Sequence, residues 1–174
     1  MNYGNIKCPD IANGMGVRVS LFVSGCTHRC EGCFNPETWD FEHGREFTKE
    51  TCENILKMLE PDFINGLTLL GGEPMEPQNQ RELLPLVRQA KRRFPEKDIW
   101  CYSGYTLEEL LSGSCRARCE VTDELLAHID VLVDGKFILA QKDISLRFRG
   151  SKNQRIVDLN HFRETGGINS PELF

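Results

Sequence analysis

Residues 17–33 of the chain read VRVSLFVSGCTHRCEGC. The first seven form a short apolar stretch rich in β-branched side chains, which predicts a buried strand. Three cysteines follow within eight residues, Cys26, Cys30 and Cys33. We therefore predict a strand that leads directly into a loop, residues 24–34, on which three thiols lie close together.

The spacing of these cysteines, CxxxCxxC, indicates the kind of metal centre. A structural zinc site is closed by four ligands, whereas a catalytic centre keeps one position open for a substrate. Iron–sulfur cubes take thiolates at such close spacings, and a full set of four cysteines would leave no iron free for another ligand. Three cysteines on one loop therefore favour a cube with one open iron.

A second interpretation of the same cysteines stays open at this point. Cys115 and Cys119 could join Cys30 and Cys33 in a tetrahedral four-sulfur zinc site, or His28 could complete one. The chain would then be a zinc-stabilised binding module without enzymatic activity. On its own, His28 is interpreted as a polar loop residue rather than a ligand.

Strands and helices alternate along the rest of the chain. This alternation implies a parallel sheet with right-handed crossovers. An eight-unit barrel takes about 250 residues, and the chain has 174. We therefore predict an α/β fold in one domain over residues 1–174, an incomplete (β/α) TIM-like barrel of about five or six parallel strands. The predicted strands are 17–23, 66–70, 98–102, 130–133 and 155–159, and the predicted helices are 48–59, 80–94, 106–111 and 122–128.

Four motifs come directly after predicted strands: the cysteine loop, GGEP at 71–74, YSGY at 102–105 and DGKF at 134–137. Parallel sheets gather the carboxyl ends of their strands on one rim, where α/β proteins form their sites. The placement of the motifs therefore predicts one shared pocket.

Composition argues against several classes of function. A net charge of −5 disfavours nucleic-acid binding, which requires a basic face. No stretch reaches the roughly 18 apolar residues of a membrane span, and MNYGNIKCPD lacks the basic start and apolar centre of a signal peptide. Clustered thiols in such a chain indicate metal ligands in a reducing compartment. We expect a cytoplasmic protein that binds neither nucleic acid nor membrane.

Five stretches follow, in order, the pattern of one family within the radical S-adenosylmethionine (SAM) superfamily. They are SGCTHRCEGCFNPETWD, LTLLGGEPMEPQN, KDIWCYSGYTLEEL, VLVDGKF and RFRGSKNQR. Together they resemble the activating proteins of anaerobic ribonucleoside-triphosphate reductases from residue 1 to about residue 155. The chain departs from the wider superfamily at Gly32, where an aromatic residue is common, and in an insert, residues 112–120, that adds Cys115 and Cys119.

The resemblance implies two cofactors. A [4Fe-4S] cluster would be held by Cys26, Cys30 and Cys33, with its fourth iron open to SAM. The segment Gly71–Gly72–Glu73 would meet the ammonium group of SAM. The full set of cofactor-binding residues implied is Gly32, Cys33, Phe34, Gly71, Gly72, Glu73, Ser103, Asp134 and Lys136.

Some of these implied roles have plain alternatives. Asp134, with the glycine after it, could equally form a turn that ends a strand. Lys136 could contact SAM or orient a target peptide. The glycines of GGEP lack Cβ atoms, so the backbone there can approach a ligand closely.

The resemblance also implies an activity. Members of this family generate a glycyl radical on the large subunit of anaerobic (class III) ribonucleoside-triphosphate reductase by reductive cleavage of SAM. A low-potential reductant such as flavodoxin would supply the electron. An activase of another glycyl-radical enzyme, of the pyruvate formate-lyase type, is the nearest alternative.

Overall fold

A seven-stranded mixed sheet forms the centre of the fold in the computed structural model, which describes residues 1–169. The strands are β1 (Asn2–Asp10), β2 (Arg18–Val23), β3 (Arg45–Glu46), β4 (Gly66–Gly71), β5 (Asp98–Tyr102), β6 (Val131–Asp134) and β7 (Arg155–Asp158). Their spatial order is β3-β1-β2-β4-β5-β6-β7. The sheet is therefore open, with β3 and β7 at its two edges.

Four strands of the sheet, β2, β4, β5 and β6, run parallel to one another. The predicted set of about five or six parallel strands is wrong in number, because β1 runs antiparallel to β2 and β7 runs antiparallel to β6. Residues 135–154, between β6 and β7, contain a short 3-10 helix, Leu139–Gln141, but no α-helix. The chain therefore turns back beside β6 instead of crossing over. The fold is α/β, and a TIM-like barrel of parallel strands is not confirmed.

Five α-helices lie among the described residues. They are α1 (Lys49–Leu59), α2 (Pro77–Arg93), α3 (Leu107–Leu111), α4 (Thr122–His128) and α5 (Leu159–Thr165). The first four agree with the predicted helices to within three residues at each end. Thr48 and Thr106 each accept a hydrogen bond from the backbone three residues on, in reciprocal capping boxes that fix where α1 and α3 begin. Within residues 1–169, no helix combines the length and apolar character that a membrane span requires.

The main core lies on one face of the sheet. Side chains alternate along a strand, and Val19, Leu21 and Val23 of β2 are fully buried in one cluster with Ile55 of α1 and Leu83 of α2. Burying each such side chain is worth about 1.5–3 kcal/mol. The helices thus cover this face and stabilise the strands that carry the loops above them.

The opposite face of the sheet carries a smaller cluster. It contains Trp100, Val131, Val133 and Ile156, with Tyr102 packed against it. Tyr102 and Val133 also line a cavity at the carboxyl ends of the parallel strands. This face therefore forms the floor of the candidate site.

Candidate functional site

A cavity of about 540 Å³ lies where β2, β4, β5 and β6 end. Cys26, Cys30 and Cys33 all line it. The lining also includes the two segments that follow β4 and β5, residues 71–73 and 102–104. The sequence prediction of one pocket at this rim is in agreement with this geometry.

Backbone hydrogen bonds join the cysteine loop to the segment after β4. The Gly72 N–H donates to Val23 O at 2.8 Å, and the Glu73 N–H donates to Gly25 O at 2.9 Å. A Cβ at Gly72 would lie 2.7 Å from Gly25 O, and Gly71 has φ +107°. Both glycines are therefore required for the two segments to approach this closely.

The thiols are shielded from water to different degrees. Burial, and to a smaller extent the charge of Glu73, raises the pKa of Cys26 to about 12. Burial also raises the pKa of Cys30, against the opposing charge of Lys136. Metal ligation requires the thiolate, so a metal that bound these thiols would have to displace their protons.

The spacing between the donors bears on the kind of metal that they could hold. Around one zinc ion, sulfur atoms lie about 3.8 Å apart, because each Zn–S bond is about 2.3 Å. Within residues 1–169, no three His, Cys, Asp or Glu side chains form such a group, the four cysteines of the zinc interpretation included. A cube needs less convergence, since each cysteine binds a different iron. Cys26, Cys30 and Cys33 line one cavity, and their predicted role as cluster ligands stays a prediction.

Glu73 is buried at the base of the cysteine loop and is fully hydrogen bonded. Its Oε1 accepts from Ser103 Oγ at 2.9 Å and from the Met75 N–H at 2.9 Å. Its Oε2 accepts from the Gly104 N–H at 2.7 Å and lies 3.0 Å from His28 Nε2. The carboxylate therefore links three segments of the rim to one another. Its predicted contact with the ammonium of SAM stays a prediction.

The other predicted residues divide into two groups. Phe34, Gly71, Gly72 and Ser103 line the cavity with the cysteines. Phe34 is 62% exposed, and its ring packs edge-on against Phe137 at 5.2 Å. Gly32, with φ +70°, lies beside the side chain of Leu139 and is not among the residues that line the cavity, so its predicted role stays a prediction.

Asp134 and Lys136 do not line the cavity. Asp134 is fully buried, accepts from the Leu107 N–H at 2.8 Å and pairs with Arg155 at 2.5 Å. It thereby joins the end of β6 to the start of α3. The Lys136 side chain is exposed. Their predicted contacts with SAM stay predictions.

Comparison with known proteins bears directly on this site. A family model described as a 4Fe-4S single cluster domain matches residues 12–157. Similar proteins named anaerobic ribonucleoside-triphosphate reductase-activating protein occur in Enterobacteria phage T4 (43% identical, covering 90% of this chain and 93% of the relative), Vibrio cholerae (46%, 90% and 97%) and Escherichia coli K12 (45%, 91% and 99%). The chain belongs to the family of anaerobic ribonucleoside-triphosphate reductase-activating proteins.

In this member of the activating-protein family, the stretch 147–155 contributes to the cavity, a role that its sequence did not reveal. Phe148, Arg149, Gly150 and Gln154 all line it. Gln154 Oε1 accepts from the Gly150 N–H at 2.8 Å, and Gln154 Nε2 donates to Gly135 O at 2.9 Å. The amide thus fastens this loop to the end of β6. The signal in the sequence for this role was that Gln154, a polar residue, stands just before the predicted strand 155–159.

His28 also has a larger role in this activating-protein family member than the sequence indicated. Its ring packs on Tyr105 with centroids 4.3 Å apart, while its Nε2 reaches Glu73. The sequence alone predicts only a polar loop residue at His28. The contacts of His28 with Glu73 and Tyr105 join residues about 45 and 77 positions apart. No local sequence pattern predicts such contacts.

Proposed function

We propose that this chain activates an anaerobic ribonucleoside-triphosphate reductase by generating a glycyl radical on its large subunit. The names of its relatives support the target. The single observation that carries the mechanism is that Cys26, Cys30 and Cys33 line one cavity together with the segment 71–73. Three thiols and a close-approaching backbone in one cavity suit a cluster that also binds a small molecule.

The chemistry itself belongs to the cofactors. When bound, the [4Fe-4S] cluster would supply the electron for reductive cleavage of SAM, and SAM would supply the radical chemistry that removes a hydrogen atom from the glycine of the reductase. The chain holds, orients and shields these groups. Cys26, Cys30 and Cys33 would each bind one iron, so that the fourth stays open for SAM.

The backbone around the cavity is suited to the polar groups of SAM. Gly71 and Gly72 carry no side chain, so their amides and carbonyls can lie against the amino acid part of a ligand. Glu73 and Ser103 hold that backbone in place through their mutual hydrogen bond. Phe34, exposed at the rim, offers an aromatic face for the adenine.

The open sheet suits a macromolecular target. A glycine within a protein loop must enter the cavity, and a sheet that is not closed leaves room for such a loop. We further propose that a low-potential reductant such as flavodoxin serves the cluster. A cytoplasmic location accords with free thiols, which a reducing compartment preserves.

Anaerobic reconstitution tests this function. The chain is loaded with iron and sulfide, then mixed with SAM, a reductant and the large subunit of the reductase. We expect 5'-deoxyadenosine by chromatography and a glycyl-radical signal by electron paramagnetic resonance (EPR). A radical on pyruvate formate-lyase but not on the reductase would favour the nearest alternative. Stoichiometric zinc with no iron or sulfide would favour a zinc-stabilised module and contradict the proposal.

A further inference from the structure

The insert, residues 112–120, is firmly held against the start of α2. Gln80 Nε2 donates to Ala117 O at 2.6 Å, and Ala117 is fully buried. Arg81 forms a two-point ion pair with Glu120, at 2.7 and 2.9 Å. These contacts fix the position of the residue just before Ala117, which is Arg116.

Arg116 reaches from the insert toward the cysteine loop. Its Nε donates to Tyr105 Oη at 3.0 Å, and its Nη2 lies 3.4 Å from Glu76 Oε1. Glu76 comes three residues after Glu73 and is nearly fully buried. A buried carboxylate is costly unless it is paired and hydrogen bonded. Arg116, whose own side chain is 58% exposed, offsets part of that charge.

Both partners of Arg116 hold residues between the first two cysteines. Glu76 Oε1 accepts from the Thr27 N–H at 3.0 Å and also from the Thr27 hydroxyl. Tyr105 packs its ring against His28 at 4.3 Å. Thr27 and His28 directly follow Cys26 in the loop. One arginine of the insert is thus connected through two side chains to the cysteine loop.

Arg116 also lies within electrostatic range of Cys26. The hydrogen bond to Tyr105 raises the pKa of Arg116, and the nearby charge of Glu76 raises it further. A cation within electrostatic range of a cluster ligand affects the cluster, because local charge and hydrogen bonding set iron–sulfur potentials.

We propose that Arg116 is a positioning residue through which the insert, with Glu76, sets the geometry of the Cys26–Cys30 loop and the reduction potential of the cluster. This role for Arg116 rests on the proposed function, since it requires a cluster at the three cysteines. It gives the insert a purpose that does not involve Cys115 or Cys119.

The test compares variants that change the charge of this pair in opposite directions. Arg116→Met removes the cation and leaves the Glu76 carboxylate uncompensated, so reduction, which adds an electron, becomes harder. Glu76→Gln keeps an acceptor for Thr27 but leaves the Arg116 cation unpaired, so reduction becomes easier. The double variant restores neutrality. We expect midpoint potentials that are more negative, more positive and close to the wild type, respectively, in an EPR-monitored titration at low ionic strength.

Controls separate this role from a structural one. Arg81→Met breaks the ion pair with Glu120 on the same insert and should leave the potential unchanged. Arg116→Met should also speed loss of iron to a chelator, because Glu76 and Tyr105, which contact the loop between Cys26 and Cys30, lose their shared partner. Arg116→Lys keeps the charge and should preserve the potential better than Arg116→Met.

The outcomes distinguish the two proposals. The titration needs neither SAM nor the reductase, so a failed activation assay does not affect it. If the wild type holds a cluster and both single variants leave its potential unchanged, or shift it in the same direction, the role of Arg116 is overturned while the proposed function stands. If the wild type assembles no cluster, both are overturned.

Discussion

Glu73 Oε2 lies 3.0 Å from His28 Nε2, and this contact joins the segment after β4 to the middle of the cysteine loop. Both side chains are largely buried, so neither is freely solvated. The same carboxylate binds the hydroxyl of Ser103 and the backbone of Gly104 after β5. One side chain therefore sets the relative positions of three loops around the cavity.

We predict that Glu73→Gln weakens the contacts that hold these three loops together. The amide group of Gln would direct a donor toward groups that are themselves donors, such as the Gly104 N–H, and a buried group left without a partner costs about 1–3 kcal/mol. The free energy of unfolding should fall by that amount in urea. Iron retention should fall by about 10- to 100-fold, because Glu73 holds the loop that carries the ligands.

The matched control is Glu82→Gln, the same substitution at an exposed position on α2. It should change the free energy of unfolding by about 0.5 kcal/mol or less. Equal stability of the two variants would mean that the carboxylate of Glu73 is not needed to hold the rim.

The elements found from the sequence are those whose signals are local. The helices α1 and α3 begin at threonine caps, and β2, β4, β5 and β6 are short apolar runs that end in turn residues. Strand β1 was missed because NYGNIKCPD contains glycine, proline and charged residues, which are unusual in strands. It forms by pairing with β2, for example Ile6 with Leu21. The predicted direction of β7 was wrong for the same reason. Pairing with the neighbouring strand, and not the local sequence pattern, decides the direction of a strand.

The candidate site likewise has one part that the sequence predicts and one part that it does not. The meeting of the cysteines with Gly71 and Gly72 follows from a general property of parallel sheets, so the sequence predicts it. The contact of Arg116 with Glu76 joins residues 40 positions apart and depends on how the insert folds against α2. No periodicity or spacing contains that information.

Gly72→Ala should force the cysteine loop and the segment after β4 apart. The new Cβ would lie 2.7 Å from Gly25 O and 2.9 Å from Thr38 O, and both are backbone atoms that cannot rotate away. Overpacking of this kind costs about 1–3 kcal/mol. Urea denaturation measures the loss.

Gly113→Ala is the control for that substitution, because its Cβ would meet nothing within 4 Å. It should leave stability within about 0.5 kcal/mol of the wild type. If Gly72→Ala were equally mild, the close approach of the two segments would not constrain residue 72.

Replacing any one of Cys26, Cys30 and Cys33 with serine should abolish the cluster, because these clusters are held by cysteine thiolates. Iron and sulfide analysis after anaerobic reconstitution measures the loss. Cys8→Ser, at an exposed cysteine, is the matched control and should retain full iron content.

Serine at Cys115 or Cys119 should likewise leave iron content unchanged. Cys119 Sγ lies 3.6 Å from Gln80 Oε1 beside α2, so its surroundings are those of a packed loop residue. Loss of metal from either variant, together with zinc in the wild type, would instead support the four-sulfur zinc site.

The ion pair between Glu108 and Arg155 should make stability depend on pH. Two hydrogen bonds, at 2.9 and 2.6 Å, join them, and the hydrogen bonding of Arg155 lowers the pKa of Glu108 to about 2. A group whose pKa is lowered by folding stabilises the native state above its unfolded pKa, about 4.3. That contribution is lost as the pH falls from there through about 2.

Glu108→Gln should therefore be less stable than the wild type at pH 7, and the difference should shrink between about pH 4.3 and pH 2. Because Glu108 is more than half exposed, water and salt screen the pair, and we expect a difference of about 0.2–1 kcal/mol at low salt. Urea denaturation across this pH range measures it. Glu164→Gln, at an exposed residue of α5 with no ion pair among residues 1–169, is the control. A difference that persists unchanged to pH 2 would show that Glu108 acts through packing rather than through its charge.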